Sequence, residues 1–362
     1  MKIIFFTRYF YPHIGGVEKH VLELSRRLVA KGHTIVIVAE ELNKSYSINK
    51  HSGTASATLT GKDKSIKIYH IPVGNNNWFK KFRIWFWIWS HRKLIQDADV
   101  IHCHDVFFWY LPFRFLFPAK KVYTTFHGYE GNRQPTKRAV FMHYLAQKLS
   151  RGNICVGQFL AKWYGTKPTL VTYGATHAVS KIDFSRRLVS KKNIRAVFTG
   201  RLEEETGILE YLKAAKILQD KGYNFNLQIV GNGSQRRECE QFCLSNKLNA
   251  QFTGFVPNPE DFLLKADVAF VSRYLSILEA LSRKIPVFAL YNNAIKKDYL
   301  QMTPFAKWIK IATNAQKLSK DIEEFIKNPK SVEQDVNDAY LWAKGQTWEK
   351  LADQYLWLWK QA

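Results

Sequence analysis

The chain has 362 residues, 46% of them hydrophobic, and this length and composition predict a folded globular protein with room for two domains. No stretch reaches the roughly 18 to 20 uninterrupted apolar residues of a membrane-spanning helix, and residues 1–6 have a strand pattern rather than that of a signal peptide, so we expect a cytosolic protein. The four cysteines lack paired CxxC spacing, which predicts reduced, mostly buried thiols and no metal site.

The formal net charge of +24 is unevenly distributed. Residues 1–182 contain 27 Lys and Arg against 9 Asp and Glu, which gives +18, whereas 27 against 21 in the remainder gives +6. A field of this sign predicts an anionic partner: a membrane lipid, a nucleic acid or a phosphorylated acceptor. The chain has no nucleic-acid reader motif, which disfavours the second of these.

A glycine turn joins the first strand to the first helix. Residues 1–11 begin with an apolar strand, and an amphipathic helix is predicted over 17–31. Strand, glycine turn and helix form the order of a phosphate cradle, and Gly15 and Gly16 would let backbone amides approach a ligand because they lack Cβ atoms. The alternative is a plain tight turn. The pair is not GxGxxG, so a dehydrogenase-type fold is poorly supported.

An unusual aromatic segment follows a polar one. Residues 41–64 are rich in Ser, Thr and Asn and predict a surface loop, and a strand is predicted over 66–73. Residues 78–94, WFKKFRIWFWIWSHRKL, then interleave four Trp and three Phe with Lys and Arg. Rings flanked by cations are typical of a lipid headgroup boundary, which predicts binding to an anionic membrane surface. The alternative is a core helix with snorkelling cations at its ends.

A histidine directly follows each of two further predicted strands. Strands are predicted over 98–103 and 121–126, followed by His104 and His127 respectively. In open parallel sheets, ligands bind beyond the carboxyl ends of the strands, which places Gly15, His104 and His127 along one rim. His127 is therefore a candidate acid, base or hydrogen-bonding group, with an incidental loop histidine as the alternative.

A second α/β series begins at Ile194, after a polar, basic passage over 174–192 that is suited to a linker. A strand over 195–199 runs into Arg201, which, fixed at a strand end, is a candidate bidentate phosphate clamp. The alternative is an ordinary surface arginine. The next strand, 226–230, runs into Gly231, which we assign to ligand binding.

The stretch 266–291, ADVAFVSRYLSILEALSRKIPVFALY, predicts a strand, a helix and a second strand. Ser276 stands three residues before Glu279, a capping-box spacing that predicts a helix start at Ser276 with the N–H groups of Ile277 and Leu278 aimed outward. Such a start attracts anions and suits a nucleotide diphosphate, with Glu279 on the ribose hydroxyls. The alternative is that Glu279 only closes the capping box.

Taken together, these features resemble the retaining group 1, or family 4, glycosyltransferases of the GT-B fold. The likeness covers nearly the whole chain and rests on PHIGGVEKHVLELSRRLVAKGHTIVIV, DVIHCHD, TTFHGYE, VFTGRLEEETGILEYLKAAKIL, LQIVGNG, QFTGFV and LSILEALSRKIPVFA. It implies two Rossmann-like, doubly wound α/β domains facing a cleft: an acceptor domain over 1–180 and a nucleotide-sugar domain over 181–346. The apolar final helix, within 347–362, would cross back to the first domain.

The resemblance also implies roles for individual residues. The sugar would come from a UDP- or GDP-linked donor, with no metal or other cofactor. Gly15 and Gly16 would approach the donor phosphates or sugar, and His127 would bond the sugar. Arg201 would neutralise the diphosphate and Glu279 would hold the ribose. The amides near Phe255 and Val256 would bracket the base. The remaining donor-binding positions are Gly231, Ser276, Ile277 and Leu278.

Two positions depart from the family pattern. Members usually carry a Lys five residues after the GRL arginine, where this chain has Thr206, and a Glu eight residues before the LEA glutamate, where it has Val271 and a shortened loop. The first change removes a cation from the diphosphate pocket and the second removes a usual contact to the donor sugar. The identity of the donor is therefore not carried over from the family.

We therefore expect a metal-independent, retaining glycosyltransferase that works at the cytoplasmic membrane face on a lipid-linked or glycan acceptor. Its products would be cell-envelope polysaccharide or glycolipid. The alternative is a catalytically lapsed protein of the same fold that serves as a membrane-bound binding or assembly subunit.

Overall fold

The computed structural model describes residues 1–11, 13, 15–41, 66–128, 134–177, 193–256 and 258–361. It divides into two compact units. Unit 1 comprises Met1–Tyr129, Pro135–Thr172 and Trp348–Ala362, and unit 2 comprises Glu130–Gln134 and Tyr173–Thr347. The loop predicted after Glu41 and the domain boundary predicted at 180/181 lie outside the described residues. Each unit is built on a parallel sheet with helices, so the predicted pair of Rossmann-like α/β domains is confirmed.

The sheet of unit 1 has seven parallel strands: β1 (Lys2–Thr7), β2 (Thr34–Glu40), β3 (Ile66–Ile71), β4 (Val100–His104), β5 (Lys121–Phe126), β6 (Gly152–Val156) and β7 (Leu170–Thr172). Their order is β3-β2-β1-β4-β5-β6-β7. The core of β1 is a continuous apolar run because both faces of this strand are covered, and its Ile3, Ile4 and Phe5 are fully buried. The strand order reverses between β1 and β4, which is the point where such sheets bind ligands.

Six helices of unit 1 lie between the strands of its sheet or beside them: α1 (Gly16–Ala30), α2 (Lys80–Ser90), α3 (Lys93–Asp97), α4 (Phe107–Leu116), α5 (Lys137–Leu149) and α6 (Phe159–Tyr164). The aromatic segment over 78–94 thus forms α2 and the start of α3. A turn at His91 and Arg92 separates them, with the His91 ring stacked on Trp87 at 3.9 Å between ring centroids.

The sheet of unit 2 has six parallel strands: β8 (Asn193–Thr199), β9 (Asn224–Val230), β10 (Asn249–Gly254), β11 (Val268–Phe270), β12 (Val287–Leu290) and β13 (Lys310–Ala312). Their order is β10-β9-β8-β11-β12-β13, so the order reverses between β8 and β11. The helices of this unit are α7 (Ile208–Asp220), α8 (Arg236–Ser245), α9 (Glu260–Leu263), α10 (Tyr274–Leu281), α11 (Ala294–Gln301), α12 (Ala315–Lys327) and α13 (Glu333–Lys344).

The last helix, α14 (Trp348–Lys360), returns to unit 1, as the sequence predicts. Tyr355 and Trp359 are fully buried on its inner face. Its outer edge is paired with α1, where Arg27 Nε lies 2.6 Å from Glu349 Oε1. Burying two large aromatic side chains stabilises the docked helix far more than this exposed ion pair does.

All four cysteines are free and buried, as predicted. Burial raises the pKa of Cys239 to about 12 and that of Cys243 to about 11, so both thiols stay protonated. Within the described ranges, no helix combines the length and the hydropathy needed to cross a membrane.

Candidate functional site

Two turns of unit 2 leave the carboxyl ends of neighbouring strands. β8 pairs with β11 through Val197 and Ala269, and Gly200 and Arg201 follow β8 directly. Only three residues connect β11 to α10. Because the strand order reverses between these two strands, both turns stand at the edge where a doubly wound sheet binds its ligand.

The helix after β11 begins two residues earlier than the sequence predicts. α10 starts at Tyr274, with Arg273 in the N-cap position and no side-chain cap. The N–H of Ile277 donates to the Arg273 carbonyl at 2.9 Å, and that of Leu278 lies inside the helical ladder. The predicted capping-box start at Ser276 is therefore wrong, and so are the outward-facing amides of Ile277 and Leu278.

A tertiary contact sets the true start of α10. The Tyr274 N–H donates to Tyr299 Oη at 2.8 Å, Tyr274 Oη donates to the Tyr299 carbonyl at 2.6 Å, and the two rings stack 3.8 Å apart. Tyr299 thereby takes the place of a local cap. The first-turn amides that precede the helix's own ladder are consequently those of Leu275 and Ser276.

Glu279 lies in the second turn of α10 and is buried. A capping-box glutamate belongs to the first turn, so the alternative in which Glu279 only closes the box is wrong. Its predicted contact with ribose stays a prediction.

Three cationic side chains from separate elements meet at Glu205. Arg201 Nη2 lies 2.5 Å from Glu205 Oε1, and Arg273 Nη2 lies 3.5 Å from the same oxygen. Lys296 Nζ, from α11, donates to the Glu205 backbone carbonyl at 3.3 Å. The Arg201 side chain is 60% exposed, whereas Lys296 is fully buried. We call this arrangement of Arg201, Glu205, Arg273 and Lys296 the cation cluster.

Burial and neighbouring charges shift the pKa of Lys296, the buried lysine of the cation cluster. Desolvation holds the pKa of Lys296 well below its ordinary value, and the positive charges of Arg273 and Arg201 lower it further. The Glu205 carboxylate acts in the opposite direction and offsets part of this effect. An additional anion beside Lys296 would stabilise its charged form.

Gly231 has a structural reason to be glycine. It has φ +144°, and a Cβ at this position would collide with the carbonyl oxygen of Gly200. The absence of a side chain lets the turns after β8 and β9 pack backbone against backbone. The predicted base-binding residues Phe255 and Val256 follow β10 at the same sheet edge, and the Phe255 side chain is exposed.

In unit 1 the glycine turn leads into α1, with Gly15 as an extended N-cap and Gly16 as the first helical residue. Glu18 folds back so that its carboxylate occupies the space beside Gly15. His13 Nδ1 holds the other carboxylate oxygen at 2.9 Å. The space beside Gly15 is thus occupied by an internal carboxylate, which an anion entering there would have to displace.

A cluster of imidazoles lies at the carboxyl ends of β4 and β5. His104 Nδ1 is 2.8 Å from His127 Nε2, and the His20 ring stands edge-on to His127 at 4.7 Å between centroids. Desolvation lowers the pKa of His20 to about 3 and those of His104 and His127 well below their usual value, so all three rings are neutral near pH 7. His127 is also fixed through its backbone N–H, which donates to Asp105 Oδ1 at 2.9 Å.

A directed hydrogen-bond chain links this cluster to α14. The Trp359 indole can only donate, so His102 Nδ1 accepts at 3.1 Å and His102 Nε2–H donates to Thr125 Oγ1 at 2.7 Å. The Thr125 hydroxyl lies 2.8 Å from Tyr355 Oη, and Tyr355 Oη lies 2.9 Å from His20 Nε2. The chain thus connects α14 to His20.

The surroundings of His104 assign the tautomer of His127. His104 Nε2 is buried, and within the described residues it has no hydrogen-bond partner. Because a buried unpaired N–H is rarer in proteins than a buried unpaired acceptor, the proton belongs on His104 Nδ1. His104 then donates to His127 Nε2, and the donating group of His127 is its Nδ1–H.

Comparison with known protein families identifies the family of this chain. Residues 14–168 match the model for Glycosyltransferase Family 4, and residues 180–342 match that for Glycosyl transferases group 1. The chain belongs to the group 1 glycosyltransferases. The predicted resemblance is therefore confirmed.

Solved structures show that this glycosyltransferase has the GT-B fold. It superposes on sucrose-phosphate synthase from Thermosynechococcus elongatus with a TM-score of 0.73 at 15% identity, covering 99% of this chain and 98% of the other. It superposes on Anabaena HepE, a structure in complex with UDP and glucose, with a TM-score of 0.72 at 12% identity and full coverage of both chains.

The curated relatives match over a shorter stretch. The GPI3 subunit of phosphatidylinositol N-acetylglucosaminyltransferase from Saccharomyces cerevisiae (strain YJM789) is 27% identical over 99 residues, which is 26% of this chain and 20% of that protein. The chain thus spans about a fifth of the length of these relatives.

The structure places the glycosyltransferase's predicted residues in two groups. Arg201 lies with the start of α10 in unit 2, and His127 lies with the histidine cluster in unit 1. Sequence reasoning missed Arg273 and Lys296. Arg273 stands directly before an anion-attracting helix and so carried a signal, whereas nothing in NNAIKKD separates Lys296 from its neighbour Lys297.

Thr206, at the position of the usual family lysine, has a structural role in this chain. It is buried, and its hydroxyl lies 2.8 Å from the Arg201 carbonyl and 2.6 Å from the Glu203 carbonyl. The side chain therefore ties together the turn that carries Arg201. In the described residues, no group of three or more His, Cys, Asp or Glu side chains is arranged to hold a metal ion.

Proposed function

We propose that this glycosyltransferase moves a sugar from a UDP- or GDP-linked donor to a lipid-linked or glycolipid acceptor, with retention of configuration and without a metal ion. The observation that carries the proposal is the convergence of Arg201 and Arg273 on one carboxylate at the switch point of the unit 2 sheet. A site that gathers cations around a carboxylate is suited to the anionic diphosphate of such a donor.

The chemistry follows from where charge develops. When the bond from the anomeric carbon to the diphosphate breaks, the bonding electrons leave with the diphosphate oxygen. Fixed cations and the open amides of Leu275 and Ser276 stabilise that charge without reorganisation, which is the service a metal ion gives in other transferases. An acceptor hydroxyl whose oxygen bonds to the carbon on the face vacated by the diphosphate gives retention, and its proton passes to the departing diphosphate oxygen.

His127 is assigned to the sugar because it is a neutral, oriented donor. Its ring is held by His104 and its backbone by Asp105, and its Nδ1–H suits a sugar hydroxyl. Asp105 adopts a left-handed backbone with φ +61°, a conformation that is costly for a residue other than glycine and that clusters at functional sites.

We place the acceptor in a membrane because the exposed face of α2 is aromatic and basic, as in segments that bind membrane surfaces. Phe82, Phe86 and Trp89 lie at successive turns of α2 and are exposed. Lys81 lies over the Phe82 ring at 5.0 Å and Arg92 over the Trp89 ring at 5.0 Å. Such a face inserts rings at the lipid headgroup level, while the positive charge of residues 1–182 attracts anionic lipid.

The opposite face of α2 packs in unit 1. Ile84 and Ile88 are buried, and the Trp85 indole donates to the Phe108 carbonyl at 3.1 Å. The core-helix alternative therefore holds for this face. It leaves the exposed face available for the interfacial role, which we place at the cytoplasmic side of the membrane.

The relatives support the same assignment. HepE is described in complex with UDP and glucose, which supports a nucleotide-sugar donor. The GPI3 subunit belongs to a transferase named for phosphatidylinositol, which supports a glycolipid acceptor.

A transfer assay tests the proposal. The purified protein is incubated with a panel of labelled UDP and GDP sugars and membrane extract, and label in the lipid phase is measured. We expect transfer from at least one donor and a strong reduction in the Glu279→Ala variant. Absence of turnover with every donor, from wild type and Glu279→Ala alike, would contradict the proposal. Membrane binding without nucleotide binding would instead assign the chain to the catalytically lapsed alternative.

A further inference from the structure

Lys296 is a buried cation that packing alone does not explain. The residue has no exposed surface, and removing an ammonium from water is costly unless the charge is compensated. Its nearest contacts are the Glu205 carbonyl at 3.3 Å and the Tyr299 ring at 5.7 Å, and the Glu205 carboxylate offsets only part of the cost. A methionine would fill a similar volume without that cost, so the charge itself calls for a reason.

The position of Lys296 is fixed by its helix. α11 follows β12, the strand next to β11, and its N-cap Asn293 accepts the Lys296 backbone N–H at 2.8 Å. Lys296 therefore sits in the first turn of α11, at the same sheet edge as Arg201 and the start of α10. Its ammonium reaches the residue adjacent to Thr206, and so supplies from another element a positive charge beside the place where the chain lacks one.

Arg273 brings a further cation to the same point. It occupies the N-cap of α10, its guanidinium lies 5.9 Å from the Tyr299 ring centroid, and its Nη2 reaches Glu205 Oε1 at 3.5 Å. A distance of 3.5 Å is a loose ion pair beside the 2.5 Å contact that Arg201 makes with the same oxygen. One carboxylate oxygen thus serves two guanidinium groups, an arrangement that a diphosphate with several oxygens would satisfy better.

We propose that Arg273 and Lys296 complete the diphosphate site that Arg201 opens, and that the Glu205 carboxylate holds these cations until a nucleoside diphosphate replaces it. This inference rests on the proposed donor class. It assigns to Arg273 and Lys296 the electrostatic work that the family usually gives to a lysine at position 206.

Binding of UDP, GDP and UMP to purified variants, measured by titration calorimetry, tests the inference. Lys296→Met and Arg273→Met should each bind the preferred diphosphate about tenfold more weakly or worse, with a smaller loss for UMP, because one of the phosphates that the cations contact is missing. Lys297→Met is the matched control, since Lys297 is exposed on the same helix, and it should bind as wild type does.

The outcomes separate this inference from the proposed function. Because Lys296→Met removes a buried charge, its melting temperature should equal or exceed that of wild type, so weaker binding is not explained by unfolding. Arg273→Met provides an independent measurement should Lys296→Met fold poorly. Unchanged diphosphate affinity in both variants, beside a wild type that binds, overturns this inference alone. A wild type that binds neither UDP nor GDP overturns the proposed function together with it.

Discussion

His104 and His127 form a direct imidazole pair, with 2.8 Å between Nδ1 of the first and Nε2 of the second. His104 is the last residue of β4, and His127 directly follows the adjacent strand β5. Their pairing gives His127 one tautomer and one orientation. In the proposed reaction His104 would act through His127, as a positioning residue.

The His104 pair can be tested by conservative rescue. His104→Leu removes the donor to His127 and should lower kcat for sugar transfer about tenfold, because His127 is then free to adopt the wrong tautomer. His104→Asn places an amide N–H near the original Nδ1 and should retain most of the activity. Nucleotide affinity, which depends on unit 2, should be the same in both variants. Equal kcat in the two variants would show that His104 is only a packing residue.

Glu205 should compete with the donor for its own cations. Glu205→Gln removes the carboxylate that Arg201 and Arg273 share, so we expect UDP or GDP to bind a few-fold more tightly and the protein to be less stable, since Lys296 loses a compensating charge. Glu204→Gln, an equal change of charge on an exposed neighbour, is the control. Calorimetry and thermal melts measure both quantities, and weaker nucleotide binding by Glu205→Gln would contradict an occluding role.

Nucleotide binding should be linked to proton uptake at Lys296. Desolvation, Arg273 and Arg201 lower the pKa of this group, with Glu205 opposing them and the Tyr299 ring alongside. A bound diphosphate raises that pKa, so binding should take up at most about one proton at a pH between the pKa values of Lys296 in the free and the bound protein. Calorimetry in two buffers with different ionisation enthalpies measures the uptake. Lys296→Met should abolish it, and equal uptake in that variant would place the proton elsewhere.

Membrane binding should depend on the exposed face of α2. Replacing Phe82, Phe86 and Trp89 by Ser should lower the affinity of the protein for vesicles containing phosphatidylserine at least tenfold, because three inserted rings are lost. Leu244→Ser, which removes an exposed apolar side chain from unit 2, should have no effect. Binding should also fall with added salt. Vesicle cosedimentation measures each case, and undiminished binding by a folded triple variant would exclude α2 as the anchor.

Unit 1 should lose stability in acid through its buried histidines. The pKa values of His20 and His102 fall from 6.5 to about 3 on burial, so the folded state resists protonation and the unfolded state does not. Stability is therefore complete above pH 6.5 and declines as the pH falls toward 3, by up to about 1.4 kcal/mol per pH unit for each group. His102→Gln, which can keep both hydrogen bonds without titrating, should show a shallower decline in urea unfolding. Identical pH slopes would contradict this account.

The elements with the strongest sequence signals were predicted closely. β5 and the helices α1 and α14 agree with their predicted bounds to within a few residues, because apolar periodicity reports which side of an element is buried. The start of α10 was predicted wrongly at Ser276 because the capping-box rule is local, whereas the structure begins this helix through Tyr299, 25 residues beyond Tyr274 in the chain. A contact of that separation leaves no periodic trace in the sequence.

The aromatic segment also combines features that the sequence predicted with features that only packing established. Its composition predicted both a membrane face and a core helix, and only the packing assigned Ile84 and Ile88 to the interior and Phe86 to the surface. For the cation cluster, the sequence supplied Arg201 and the departure at Thr206, while the lysine that supplies a positive charge beside Thr206 comes from α11, some ninety residues later.

The two α/β domains, the positive first half, the family and the strand-end positions of Arg201 and His127 could all be predicted from the sequence, because they follow from local patterns and from motif order. Which cations meet at Glu205, which tautomer His127 adopts and where α10 begins became known only from the folded structure. Those outcomes depend on side chains that folding brings from distant segments to within about 3 Å of one another, a range at which hydrogen bonds and desolvation take effect.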